Sequence, residues 1–168
     1  MTEPRVRLAT RDDADTIARV HVASWQATYR GVVPDRILDN LSVERRAGFW
    51  RDVIDEAAHP VWVGLLRDRV VGFVNAGAAS DDDLVGAGEI HAIYVAPEAW
   101  SRGVGRLLFG TAATELAARG LSPLVLWVLT DNSRGRRFYD AAGWAPDAAA
   151  RTLDFDGEAI EEIRYRAP

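Results

Sequence analysis

The sequence predicts an α/β fold of the α+β kind: a single mixed, mostly antiparallel sheet of about seven strands, flanked by helices, in one domain over residues 1–168. Three observations carry this expectation. Apolar runs of strand character alternate along the chain with longer runs of helical period, and turn residues separate them. Two of the strand-like runs are joined only by Arg67-Asp68, the mark of an antiparallel hairpin, and a third follows after a loop. No internal repeat, low-complexity tract or linker divides the 168 residues, a length that suits one core.

The elements follow in order. Residues 5–9 alternate apolar and charged side chains, as a short strand does. Thr10 or Asp12 is placed to cap the helix that follows. There Ile17, Val20, His21, Ser24, Trp25 and Thr28 share one face, and Gly31 ends the helix. Pro34 opens a short second helix to about Asn40, and Ser42 is an N-cap candidate for a third over residues 43–55. Pro60 breaks it. Strands over 61–66 and 69–76 precede a polar loop, 77–88, that holds Asp81, Asp82 and Asp83 in succession. The next strand is 89–95. A helix over about 103–119 aligns Val104, Leu107, Leu108, Thr111, Ala112 and Leu116 on one stripe, with Gly120 as its C′ residue. Residues 123–129 are nearly all apolar, as expected of a strand buried on both faces. Asn132 or Ser133 caps a helix over 134–142, which Gly143 terminates. Two last strands, from Trp144 onward and over 160–166, turn around Asp156-Gly157.

Composition narrows the function. Hydrophobic residues make up 48% and charged residues 27%, which suits a soluble chain with a core and not a disordered one. No apolar run approaches the roughly 20 residues of a membrane helix, so no membrane partner is expected. The N-terminal stretch is polar and lacks the apolar centre of a signal peptide; a cytoplasmic location fits. The chain has no cysteine, which removes disulfides, thiol nucleophiles and thiolate metal sites, and no metal is expected. A net charge of −5 argues against a nucleic-acid partner. Every basic side chain is arginine, so no lysine can form a Schiff base.

The most informative stretch runs from Glu89 to Gly120. An apolar strand leads to the turn Gly103-Val104-Gly105, and a long Ala/Leu helix begins at once. Glycines there let backbone N–H groups approach a ligand, and the positive end of the helix dipole points at the same spot. Arg102 and Arg106 flank the turn, and guanidinium suits phosphate oxygens. The pattern is that of an anion site. It is not a Rossmann fingerprint, because Leu108 stands three beyond Gly105, and not a P-loop, because no Gly-Lys-Ser/Thr is present.

Two blocks here resemble a known family. The phrase IYVAPEAWSRGVGRLL is similar to the acyl-CoA-binding motif of the GNAT superfamily of N-acetyltransferases, written (Gln/Arg)-x-x-Gly-x-(Gly/Ala). Gly103 and Gly105 match it, and Trp100 stands at the Gln/Arg position. The stretch LWVLTDNSRGRRFYDAAGW resembles the superfamily's next block at Asn132, Phe138-Tyr139 and Gly143-Trp144. The two blocks span about a third of the chain, in the family's order.

The resemblance implies a GNAT-like sheet with splayed central strands and acetyl-CoA as co-substrate. It implies direct acetyl transfer to a primary amine, with no acyl-enzyme. Backbone amides of Gly103, Val104 and Gly105 would hold the pyrophosphate, with Arg102 and Arg106 beside it. The strand ending Ile93-Tyr94-Val95 would offer unpaired backbone groups to the pantetheine arm, and Val95 or Ile93 N–H would polarise the thioester. Asn132 would bond the same arm as well as cap its helix. Tyr139 matches the general acid that protonates the leaving thiolate. Glu89 is either the base, acting through water, or a strand-edge surface carboxylate. His91 shares its strand face and is a second base, a proton relay or a structural histidine.

The first helix resembles one that covers the acceptor pocket in one GNAT group. Trp25 and Tyr29, one turn apart, either line that pocket or pack in the core, and His21 shares their face. Asp81 to Asp83 either attract a cationic amine or form a solvated loop. The expected acceptor is a small-molecule amine, with a cationic one favoured, or a protein N-terminus. The family often dimerises, and the C-terminal strand offers an edge for a homodimer. Two rival readings are a non-catalytic acyl-CoA sensor on the same fold and a nucleotide-binding domain using the same helix start.

Overall fold

In the computed structural model, which describes residues 3–168, seven strands join in one open sheet covered by helices on both faces. The first two residues of the polar N-terminal stretch lie outside the described residues. In chain order the elements are β1 (Arg5–Leu8), α1 (Ala14–Tyr29), α2 (Asp35–Asp39), α3 (Val43–Glu56), β2 (Val61–Leu66), β3 (Arg69–Ala78) and β4 (Gly88–Val95). Then come α4 (Val104–Ala118), β5 (Leu124–Leu129), α5 (Ser133–Ala141), β6 (Ala145–Phe155) and β7 (Glu158–Arg166). Across the sheet the order is β1-β2-β3-β4-β5-β7-β6. Only β4 and β5 run parallel.

Local chemistry sets the ends of these elements. The Asp13 carboxylate accepts the Thr10 backbone N–H at 2.8 Å and closes a 3₁₀ turn, Arg11–Asp13, so α1 proper starts only at Ala14. Ser42 Oγ accepts the Arg45 N–H at 3.2 Å and caps α3. Asp156 and Gly157, with φ of 54° and 87°, form the left-handed two-residue turn that matches the twist of a hairpin.

Two cores pack on opposite faces of the sheet. Ile17 of α1 and Trp50 of α3 meet Val63 and Phe73 on one face; Leu108 and Leu116 of α4 meet Trp62 and Val74 on the other. α4 lies close to the sheet because β2 has no side chain at Gly64, where a Cβ would stand 2.6 Å from Val104 Cγ1. Gly64→Ala is therefore expected to cost about 1–3 kcal/mol, the range of an overpacked core. The check is the urea midpoint at unchanged slope, and a wild-type midpoint would mean that α4 shifts without cost.

The C-terminal strand is not the edge expected from the sequence. β7 lies between β5 and β6, and the outer strands are β1 and β6. Burial is the cause: β7 carries Arg164 and Tyr165 into the interior, whereas no residue of β6 is buried.

β4 holds the irregularity that positions the site. Asn75 faces Ala92 but Ala76 faces Ile90, so His91 is an extra residue, a β-bulge. Strict alternation would place Ile90 on the face opposite Ile93 and Val95. With the bulge, all three pack under α4, while Ala92 and Tyr94 turn toward α1 and α3. The parallel pairing of β4 with β5 is confined to Gly88–Leu124, Glu89–Val125 and Ile90–Leu126. Beyond it β4 follows β3 to Val95 and β5 follows β7 to Leu129, and the central strands splay. Among the described residues no helix is long and apolar enough to cross a membrane.

Candidate active site

The splay opens a cleft of about 530 Å³ between β4 and β5. One wall is the free edge of β4. Ala96 N–H donates to Val71 C=O of β3 at 2.7 Å. Successive backbone groups of a strand point to opposite edges, so the N–H groups of Val95 and Ile93 turn away from β3, toward the gap. The Val95 carbonyl agrees with this direction. It accepts from Ser24 Oγ at 3.0 Å and from Trp100 Nε1 at 2.8 Å, and neither is on β3.

At one end of the cleft α4 begins. Gly103 has φ of 82°, a conformation at which only glycine is unstrained. The first bond of the helix runs from Leu107 N–H to Gly103 C=O at 3.1 Å, which leaves the N–H groups of Val104, Gly105 and Arg106 without intrahelical partners. Gly105 is a different case. Its φ is not positive, and a Cβ there would meet nothing closer than Phe138 Cε2 at 3.5 Å. Neither backbone nor packing demands glycine at 105, yet the position borders the cleft.

Of the two flanking arginines, Arg106 lines the cleft and Arg102 does not. The Val104 side chain is core, so only its N–H faces outward. Arg134 of α5 lines the cleft instead, with its guanidinium 3.7 Å from the centroid of the Trp100 ring. No sequence motif marks Arg134. Trp100, at the motif's Gln/Arg position, thus holds both the Val95 carbonyl and Arg134.

Asn132 caps α5 by accepting the Gly135 N–H at Oδ1, 2.9 Å, and lines the cleft. Gly135 makes room for this: a Cβ there would stand 2.6 Å from Asn132 Nδ2. Tyr139 also borders the cleft, its ring packed on Phe138, Phe109 and Tyr165. Among the described residues its hydroxyl has no hydrogen-bond partner. Burial, followed by the nearby Tyr94 phenol, raises the Tyr139 pKa well above the ordinary phenol value, so the hydroxyl stays protonated.

The two base candidates separate. His91 Nδ1 lies 3.4 Å from Glu89 Oε1, but only His91 borders the cleft. Glu89 is 6% exposed, and among the described residues its buried Oε2 has no partner. The bulge explains this, because it puts Ile90 under α4 and turns Glu89 to the α3 face. The carboxylate that lines the cleft is Glu162 of β7, which faces Leu129 across the β5–β7 register. Its Oε2 accepts Arg151 Nε at 2.8 Å. Only long-range pairing brings Glu162 here, and no local sequence signal marks it.

Trp25 and Tyr29 line the cleft with Tyr94; the Tyr29 and Tyr94 hydroxyls lie 3.3 Å apart. His21, on the same helix, is core. Its Nδ1 accepts Trp50 Nε1 at 3.1 Å, and burial first, then Arg46, pushes its pKa down to about 3. An unfolded imidazole, at the ordinary 6.5, takes a proton before the folded one does. The stability from neutral His21 is thus complete above that pH and lost as pH falls toward 3, by about 1.4 kcal/mol per pH unit. His21→Asn keeps an acceptor for Trp50 and is expected to flatten the denaturation midpoint between about pH 6.5 and pH 5. Equal pH slopes in both proteins would clear His21 as the source.

Asp81 and Asp83 do not face the cleft. Arg164, 6% exposed, binds Asp83 through two prongs at 2.9 and 2.8 Å, Asp147 at 2.7 Å and Asp81 at 3.4 Å. The acidic loop is clasped to β7. Among the described residues no group of three or more His, Asp or Glu is placed to hold a metal ion.

Residues 22–144 match the model of the Acetyltransferase (GNAT) family. The uncharacterized N-acetyltransferase YuaI of Bacillus subtilis is 29% identical over 160 residues, 94% of this chain and 89% of that protein. An uncharacterized N-acetyltransferase of Archaeoglobus fulgidus is 30% identical over 139 residues, 80% of this chain and 88% of that one. The fold is like that of the PaiA N-acetyltransferase from Thermoplasma acidophilum, solved in complex with coenzyme A, with a TM-score of 0.70 at 18% identity over 96% of this chain and 98% of that one. The family match takes in α4, both splayed strands and α5, and the chain belongs to the GNAT acetyltransferase family.

Proposed function

We propose that the protein moves acetyl from acetyl-CoA directly to a primary amine within a ternary complex. The observation that carries this reading is the meeting, in one cleft, of the outward N–H groups of β4, the open start of α4 and the Tyr139 phenol. The N–H groups of Val104, Gly105 and Arg106 would hold the pyrophosphate, with the guanidinium groups of Arg106 and Arg134 beside it. The amides of the pantetheine arm would pair with the β4 edge and with Asn132 Nδ2, which satisfies groups the splay leaves open. This fits the coenzyme A bound by the structurally similar PaiA protein.

The chemistry follows from the same groups. His91 takes the proton of the bound ammonium, and the free amine attacks the thioester carbon. Val95 N–H donates to the carbonyl oxygen as negative charge grows there. The C–S bond then breaks, and Tyr139 gives its proton to the departing thiolate. Glu89 orients His91 from outside the cleft, through Nδ1. The test is acetyl-CoA turnover over a panel of primary amines, read as free thiol. Acceptor-dependent thiol release is the expected result. Tight CoA binding with no thiol from any amine would favour the sensor reading.

A further inference from the structure

The half of the cleft beyond the thioester is built by α1, β4 and the β6–β7 hairpin. Trp25, Tyr29, Tyr94, Leu153, Phe155 and Glu162 line it. Trp25 sits among the rings: Tyr29 meets it edge-on at 5.0 Å, and Phe155 and Tyr94 lie at 6.1 and 6.3 Å. Among the described residues the buried Trp25 Nε1 has no hydrogen-bond partner. Among the described residues Glu162 is the only carboxylate lining the cleft. Its Oε2 takes Arg151, which leaves Oε1 for an ammonium. Burial keeps the Tyr29 and Tyr94 phenols neutral.

This inventory discriminates among amines. A polyamine would bring a second ammonium with no second carboxylate to meet it. An α-amino acid would set its own carboxylate near Glu162. A peptide N-terminus would bring several backbone amides to walls whose polar atoms, beyond Glu162, are few: the Trp25 Nε1 donor and the paired Tyr29 and Tyr94 hydroxyls. Arg46 lies over the Trp25 ring at 5.7 Å but does not line the cleft, so it gives a substrate carboxylate no partner there.

Resting on the acetyltransferase reading above, we propose that the acceptor is a singly charged primary amine on an aromatic body, with its ammonium at Glu162 and its ring beside Trp25 and Phe155. The test compares kcat/KM for 2-phenylethylamine and tryptamine with that for spermidine, phenylalanine and an alanyl peptide, in the wild-type chain. The arylalkylamines are expected to lead by at least about tenfold, and Glu162→Gln to raise their KM about tenfold with the acetyl-CoA KM unchanged. Equal or better use of spermidine, phenylalanine or the peptide overturns the proposal, as does an unchanged amine KM in the variant. CoA titration runs alongside. Binding of CoA with no turnover of either arylalkylamine defeats the acceptor class alone, whereas no CoA binding defeats the acetyltransferase reading itself.

A second cavity of about 270 Å³ opens on the other side of His91, bordered also by Glu56, His59, Asn75 and Ser80. The His59 ring lies 4.8 Å from the His91 ring and is seated on β3 at Gly77, where any Cβ would collide with it. Among the described residues the buried His59 Nδ1 and Glu89 Oε2 have no hydrogen-bond partners, and both side chains flank His91. We infer that the proton taken from the amine leaves His91 on this side, through Glu89 and His59, to water in the second cavity. Each transfer breaks one N–H or O–H bond and forms the next, so His91 returns neutral.

His59 is a positioning and relay residue that does not touch substrate. His59→Ala is expected to lower kcat about tenfold at pH 7 with the acetyl-CoA KM unchanged, and added imidazole to restore it, as exogenous base does for a lost proton relay. Wild-type kcat from pH 6 to 9 overturns the inference, and so does a loss that imidazole does not restore. If the alanine variant unfolds, the same comparison is made on His59→Asn.

Discussion

Gly105→Glu is expected to lower CoA affinity at least about a hundredfold while leaving the melting temperature at or above the wild-type value. The two halves of this result have different causes. A Cβ at 105 meets only ordinary contacts, with Phe138 and Val95, and replacing glycine in a helix lowers the chain's entropy cost by up to about 1 kcal/mol. The first turn of α4 carries no acid, so a new carboxylate there meets the positive dipole end and adds about 0.3–1 kcal/mol. The same carboxylate occupies the place assigned to the pyrophosphate, and like charges repel. A variant that is firmer yet cannot bind cofactor is not explained by misfolding. Gly105→Ala is the control, expected to bind CoA within a few-fold of wild type. Thermal melts and calorimetric titration check both, and wild-type CoA affinity in Gly105→Glu would remove the α4 start from the donor site.

Tyr139→Phe is expected to lower kcat about a hundredfold, the lower end of general acid catalysis, with CoA affinity and melting temperature unchanged. The substitution is clean because the hydroxyl has no hydrogen-bond partner among the described residues, so its loss strands nothing. The ring keeps its packing on Phe109, Phe138 and Tyr165. The sign of the pH effect follows from the raised pKa: the phenol remains an acid through pH 10, so Tyr139 itself causes no alkaline fall of kcat below that pH. Equal turnover in the two proteins would take Tyr139 out of the mechanism.

The half of the cleft proposed for the donor was legible because its signals are local. Gly103-Val104-Gly105, Asn132 and Tyr139 lie in short stretches where a turn, a cap and a helix face can be read from spacing, and the structure brings Gly103, Gly105, Asn132 and Tyr139 to one cleft. What escaped is set by pairing between distant strands. The bulge at His91 leaves no mark in the sequence, yet it turns Glu89 away from the cleft and keeps His91 in it. Glu162, Leu153 and Phe155 reach the cleft only because β7, rather than β6, pairs with β5. The aspartate run read as charge facing solvent or substrate, and its partner Arg164 lies more than 80 residues further along the chain. Arg134 in place of Arg102 has the same origin, since α5 comes to the cleft wall by tertiary packing alone.

The most direct test of a donor site at the splayed strands is calorimetric titration of the wild-type chain with CoA, NAD and ATP in turn. Binding of one CoA per chain, with no heat from NAD or ATP and none from CoA in Gly105→Glu, is the predicted result. Absence of CoA binding, or ATP bound as tightly as CoA, would contradict it.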